Sequence, residues 1–132
     1  MLGTSKIGCI QLADHYTLNA GQSVDLPVNG LILKGFHYLG YWSLEIKHET
    51  GSNGTITAKP VCSNSGENYR VPSDAIDICT NFSNTDGEQG DGVDLFPIDL
   101  GIVTGYLKIR FTESSGANPV TFSAWLCYAE GK

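Results

Sequence analysis

Residues 41–49 read YWSLEIKHE. Trp42, Leu44 and Ile46 fall on one side of an extended chain. Ser43, Glu45, Lys47 and Glu49 fall on the other. Alternation with period two, one side apolar and one polar, predicts a half-buried β-strand. The turn residues Thr50-Gly51-Ser52-Asn53-Gly54 follow, and TITAKPVC (55–62) comes back. Asn-Gly suits a reversal because both residues tolerate positive φ. The pair therefore reads as a hairpin. Pro60 has no N–H for a ladder, which predicts a sheet edge or a bulge at that point.

The same pattern recurs near the C-terminus. YLKIRFTE (106–113) sets Leu107, Ile109 and Phe111 against Tyr106, Lys108, Arg110 and Thr112. SSGANP turns the chain, and VTFSAWLCYA (120–129) returns as a second hairpin. One face of the return strand carries Val120, Phe122, Ala124, Leu126 and Tyr128. The other carries Thr121, Ser123, Trp125, Cys127 and Ala129, and becomes apolar toward its end. That change predicts a cover, either the N-terminal segment or another subunit. Elsewhere IGCIQL (7–12), HYTLNAG (15–21), QSVDLPV (22–28), LILKGF (31–36), YRVP (69–72), AIDICTNF (75–82) and DLFPIDL (94–100) read as extended pieces. Ile76, Ile78 and Phe82 are expected inward, and Pro97 marks an edge. No stretch has helical periodicity. About eight strands in 132 residues predict an all-β fold: a two-sheet antiparallel sandwich, jelly-roll-like. Residues 1–132 read as one domain, with 1–14 as a possible extended N-terminal arm.

Composition narrows the function. Net charge is −6, and the eight Lys and Arg are scattered. Nucleic-acid binding needs clustered positive charge, so it is not expected. No apolar run approaches the ~18 residues of a membrane-spanning helix, and no secretion signal is visible. Charged residues are only 17%, which suits a surface solvated by Ser, Thr, Asn and Gly or covered by neighbours. Cys9, Cys62, Cys79 and Cys127 lie in apolar runs without a CxxC pair. They read as free, buried thiols, with a disulfide as the alternative. Two sequons, at Asn53 and Asn81, read as chance occurrences in an Asn- and Ser-rich chain.

Catalytic motifs are absent: there is no GxSxG, HExxH or P-loop. His48 sits on the inward parity of its strand and His37 in the aromatic run FHYLGYW, so both read as packing residues. The densest carboxylate cluster is TDGEQGDGVD (85–94), with Asp86, Glu88, Asp91 and Asp94. Calcium takes six to eight oxygens, but neither the EF-hand spacing nor an RTX repeat is present. The segment reads as a mobile, solvent-facing connection between strands, with no metal and no cofactor. Tyr41, Tyr106 and Trp125 fall on the outward parity of their strands. They are the candidate partner-facing aromatics.

Taken together, GYWSLEIKHETGSNGTITAKPVCSNSGENYRVPS (40–73) and DLFPIDLGIVTGYLKIRFTESSGANPVTFSAWLCYAEG (94–131) resemble small virion structural proteins of tailed bacteriophages. SNSGENYRVPS (63–73) is similar to a "SNDG-x-aromatic" phrase of those proteins, with Asn68-Tyr69 where Trp or Phe is common. YLKIRFTESSGANPVTFSAWL (106–126) is similar to their closing strands. The resemblance spans about residues 40–129. It implies a β-sandwich without enzymatic activity, in the virion and assembled in the host cytoplasm. Its place would be that of a capsid decoration or cement protein, or of another particle-surface subunit. The implied partners are a major capsid protein or tail proteins, and further copies of the chain as a homo-oligomer. A carbohydrate- or receptor-binding module of a phage tail is the alternative.

Overall fold

The computed structural model describes residues 6–33 and 42–130. Eight strands follow one another: β1 (Lys6–Leu18), β2 (Ser23–Ile32), β3 (Trp42–His48), β4 (Ile56–Ser63), β5 (Cys79–Phe82), β6 (Val93–Ile98), β7 (Tyr106–Glu113) and β8 (Val120–Glu130). They form two four-stranded antiparallel sheets. Sheet one has the order β1-β8-β3-β6, and sheet two β2-β7-β4-β5. Every connection except β4 to β5 crosses from one sheet to the other, which makes the sandwich a jelly roll.

That topology corrects both hairpins. β3 pairs with β8 and β6, while β4 pairs with β7 and β5. β7 and β8 likewise belong to different sheets. Alternation reports which face of a strand is buried, not which strand lies beside it. A short polar turn can therefore bridge two sheets as readily as two neighbours. Pro60 is also not on an edge strand, since β4 lies inside sheet two, opposite Ile109. Its missing N–H nonetheless costs no ladder bond. Ala58 accepts from Ile78, and Cys62 exchanges bonds with Arg70. Pro60 falls between them on the same side, where β5 has already ended. Pro97 does sit on an edge strand, β6.

The core lies between the sheets, where Leu44, Ile46, Ile56, Leu107, Ile109, Phe111, Val120, Phe122 and Leu126 are fully buried. Phe111 of sheet two meets Phe122 of sheet one with ring centroids 5.0 Å apart. Ile78 and Phe82 pack inward as expected, but Ile76 is 80% exposed. The turn after Pro72 and positive φ at Asp74 hold 73–77 outside the ladder, so strand parity does not reach Ile76. YRVP forms no strand, only a bridge from Arg70 to Cys62. IGCIQL and HYTL join into β1, with register shifts at Ala13 and positive φ at His15.

The cysteines divide. Cys9 and Cys127 face each other across β1 and β8 and form a disulfide, which corrects the reading of four free thiols. Their separation of 118 residues hides an adjacency that only the strand register creates. Cys62 and Cys79 are free and buried. Burial raises both thiol pKa values, that of Cys79 to about 12.

Candidate functional site

The two ends of the sandwich are unlike. At one end the connections 19–22, 49–55, 83–92 and 114–119 are tied together by buried polar groups. Glu113, at the end of β7, is 1% exposed. Its Oε1 accepts N–H bonds from Gly21 (3.2 Å) and Gly116 (2.8 Å), and its Oε2 from Thr55 (2.8 Å) and Ser115 (3.0 Å). Burial pushes its pKa up, but hydrogen bonds from Ser115, Thr55 and Gly21 outweigh it and hold the carboxyl at about 2. A carboxylate so fully engaged by backbone is a fastener, not an acid or base.

His48 is 6% exposed at the same end. Its Nε2 donates to the Phe82 carbonyl (2.9 Å), which leaves Nδ1 to accept from the Ser52 hydroxyl (2.9 Å). Ser52 Oγ in turn accepts the Thr121 N–H. Burial lowers the imidazole pKa, against the Phe82 bond and the charge of Asp86. His48 is therefore neutral and occupied on both nitrogens. His15 is exposed, with Nδ1 2.7 Å from Asp14 Oδ1 and Nε2 3.4 Å from Glu49 Oε2. The nearby Ser123 hydroxyl donates to Glu49 Oε1 at 2.9 Å, and receives the backbone N–H of His15. Ser123 is buried and its proton points at a carboxylate, so these groups do not form a nucleophile and base pair.

The acidic segment 85–94 is built rather than loose. Asp86 Oδ2 accepts the Ser83 N–H and Asp91 Oδ1 accepts that of Val93. The Gly92 N–H bonds to the Asp86 carbonyl, and His48 N–H bonds to the Gly92 carbonyl. Gly87 and Gly92 both have positive φ, and a Cβ on either would collide with backbone, at Val93 or Asn84. Among the described residues no group of three or more His, Cys, Asp or Glu is arranged to hold a metal.

The opposite end carries apolar surface. Ile7 is 81% exposed where β1 begins, opposite Ala129 in the register. Across the outer face of sheet one runs the row Cys9, Cys127, Ser43, Pro97, and beside it the row Gln11, Trp125, Glu45, Leu95. Leu95 is 64% exposed. A shallow groove here is lined by Ile7, Trp42, Pro97, Cys127, Tyr128 and their neighbours, none of them charged. Residues 6–14 do not cover this face, because β1 lies beside β8 as an edge strand. The outer face of sheet two differs. There Arg110 makes a two-pronged ion pair with Asp25 (2.8 and 3.1 Å), and Lys108 Nζ lies 4.2 Å from the ring centre of Tyr69 on the 64–78 connection.

Of the three candidate aromatics, Tyr41 lies outside the described residues. Tyr106 is half-buried on sheet two, beside Gly66. Trp125 is half-buried on sheet one. The structure places these two on opposite outer faces and does not bring them together. Ile7, Leu95 and the Cys9–Cys127 bridge, which share this face with Trp125, Gln11 and Glu45, were not singled out by sequence. The apolar drift of Trp125, Cys127 and Ala129 was the available signal.

No protein-family model matches this chain, and no curated protein matches it by sequence. Solved structures do. The chain superposes on infectious bursal disease virus VP2, in the crystal structure of its subviral particle, with TM-score 0.63 at 14% identity. The match covers 96% of this chain and 33% of that one. A structure of the Gx strain of the same virus gives TM-score 0.58 at 13% identity, over 97% and 33%. What is shared is the fold. The chain spans about a third of the length of these proteins.

Proposed function

We propose that this chain is a non-enzymatic structural subunit of a virus particle, acting through protein–protein contacts. The observation that carries this reading is the match of nearly the whole sandwich to part of a protein solved as a subviral particle. The sequence resemblance to tailed-phage virion proteins supports a finer reading. In it the chain is a capsid decoration or cement protein, or another particle-surface accessory subunit, present in many copies and touching the major capsid protein or tail proteins. The contact surface is the outer face of sheet one around Ile7, Leu95 and Trp125. Exposed apolar side chains gathered on one face mark a contact surface, and many weak copies of one contact hold by avidity. In a particle assembled in the host cytoplasm, the Cys9–Cys127 bond would form after release into an oxidising medium.

A carbohydrate-binding role has less support, since Tyr106 and Trp125 make no common stacking platform. The test mixes purified protein with particles assembled without it and images them. Regular occupancy that is lost in an Ile7→Asp, Leu95→Asp double variant is expected. Bare particles at saturating protein concentration would overturn the reading.

A further inference from the structure

Two Asn-Gly pairs in this chain stand in opposite environments, and we infer that Asn29 is a site of spontaneous covalent modification while Asn53 is protected. In this chemistry the backbone nitrogen of the glycine attacks the side-chain amide carbon of the asparagine. Ammonia leaves and a five-membered succinimide forms. Water then opens the ring on either side, giving aspartate or isoaspartate. The reaction needs no enzyme and no co-reactant beyond water. It does need a free glycine N–H, an accessible amide, and a backbone able to bend the two together.

At Asn53–Gly54 these conditions fail. Gly54 is buried, and its N–H donates to the Pro119 carbonyl at 2.9 Å. The attacking nitrogen is thus held by a neighbouring loop at the tightly fastened end of the sandwich. Asn29–Gly30 lies instead where the ladder is broken. Asn29 is exposed, and β2 loses register with β7 between Leu26 and Leu31. Leu31 resumes the pairing opposite Leu107, and Leu33 N–H bonds to the Gly105 carbonyl. Gly30 has φ of 76°, a conformation natural to a residue without Cβ.

The site also has a consequence built in. A Cβ on Gly30 would stand 2.2 Å from the Tyr69 hydroxyl, so that ring packs directly on the glycine backbone. Tyr69 belongs to the connection 64–78 that lies across sheet two, and its buried hydroxyl has no hydrogen-bond partner. Isoaspartate at 29 lengthens the main chain by one carbon and adds a negative charge beside this contact. The modified protein then loosens 64–78 from the sheet, irreversibly and without an enzyme.

Incubation of the folded protein at mildly alkaline pH, followed by peptide mass spectrometry, tests the assignment. The one-mass-unit gain is expected to accumulate at Asn29 about tenfold or more faster than at Asn53, the factor imposed by a buried hydrogen bond that must first break. In denaturant the two rates converge, because the sequence pair is the same. Asn29→Gln removes the fast site and leaves Asn53 unchanged. Equal rates at the two sites in the folded protein, or a faster rate at Asn53, would overturn the inference.

Discussion

The end of the sandwich that gathers four loops and the end where β1 begins and β8 finishes are held by different physics. At the loop end the fasteners are buried polar groups: one carboxylate collecting four backbone N–H bonds, and one neutral imidazole bridging Ser52 and Phe82. At the terminal end they are a covalent bridge and apolar contact, including Trp42 against Tyr128 at 5.4 Å between ring centroids. Polar fasteners are directional and specify one loop arrangement, yet they fail sharply when one member is lost. Apolar surface is non-directional and stays sticky. The contrast is between directional order at one end and exposed apolar surface at the other.

Breaking the loop end has the largest expected effect. Glu113→Ala leaves four N–H groups without their acceptor and is expected to cost about 3–5 kcal/mol. A lower urea midpoint with unchanged slope would be the sign. The same residue sets an acid limit. Its folded pKa of about 2 lies below the ordinary 4.5. The native state therefore binds fewer protons than the unfolded one in that window. Stability from this group is complete above about pH 4.5 and is lost as pH falls toward 2, roughly 3 kcal/mol in all. Stability in Glu113→Gln should depend less on pH over that range, and an undiminished dependence would remove Glu113 from its role.

Breaking the terminal end comes next. The Cys9–Cys127 bridge closes a loop with a separation of 118 residues. Replacing both cysteines by serine is expected to cost about 2–4 kcal/mol, mainly through a freer unfolded chain. Thermal melting of the double variant would measure it. The core should persist, because β1 keeps its ladder to β8.

The smallest effect sharpens the comparison. His48 has a lowered pKa because it is buried. The unfolded state takes up a proton first, so stability is lost as pH falls from 6.5 through the lower folded value. This loss belongs to the loop end alone. In His48→Gln the step below pH 6.5 should vanish while the Glu113 step stays. If the step survives in the variant, another group carries it.

Much of this could be read from the chain. Period-two alternation located β3, β7 and β8 within a residue or so, and the count of short extended pieces predicted the fold class. The sheet partners could not be read, because Ile46 faces the core in the same way whether β4 or β8 lies alongside. Glu113 shares the inward parity of Leu107, Ile109 and Phe111, but a carboxylate is not expected in a core. It looks like a surface glutamate ending a strand, and only the meeting of three distant turns makes it the most buried carboxylate. The acidic cluster attracted attention by density, yet its aspartates serve their own backbone. The segment was read as mobile, yet a side chain would not fit at Gly87 or Gly92. On the apolar face the clue was real but partial: β8 announced it, while Ile7 and Leu95 joined it through the register of strands far away in sequence.

The Cys9–Cys127 bridge has a mechanical consequence. Lys6 and Glu130 form the outermost rung of β1 and β8 among the described residues, and the two sulfurs lie three residues further in. Tension applied through whatever is joined to the two ends passes from Cys9 to Cys127 through the bridge. The residues between them carry no load. Joined at both ends, the sandwich behaves as a short inextensible link of almost fixed length. It transmits pull without unravelling until a sulfur–sulfur bond gives way.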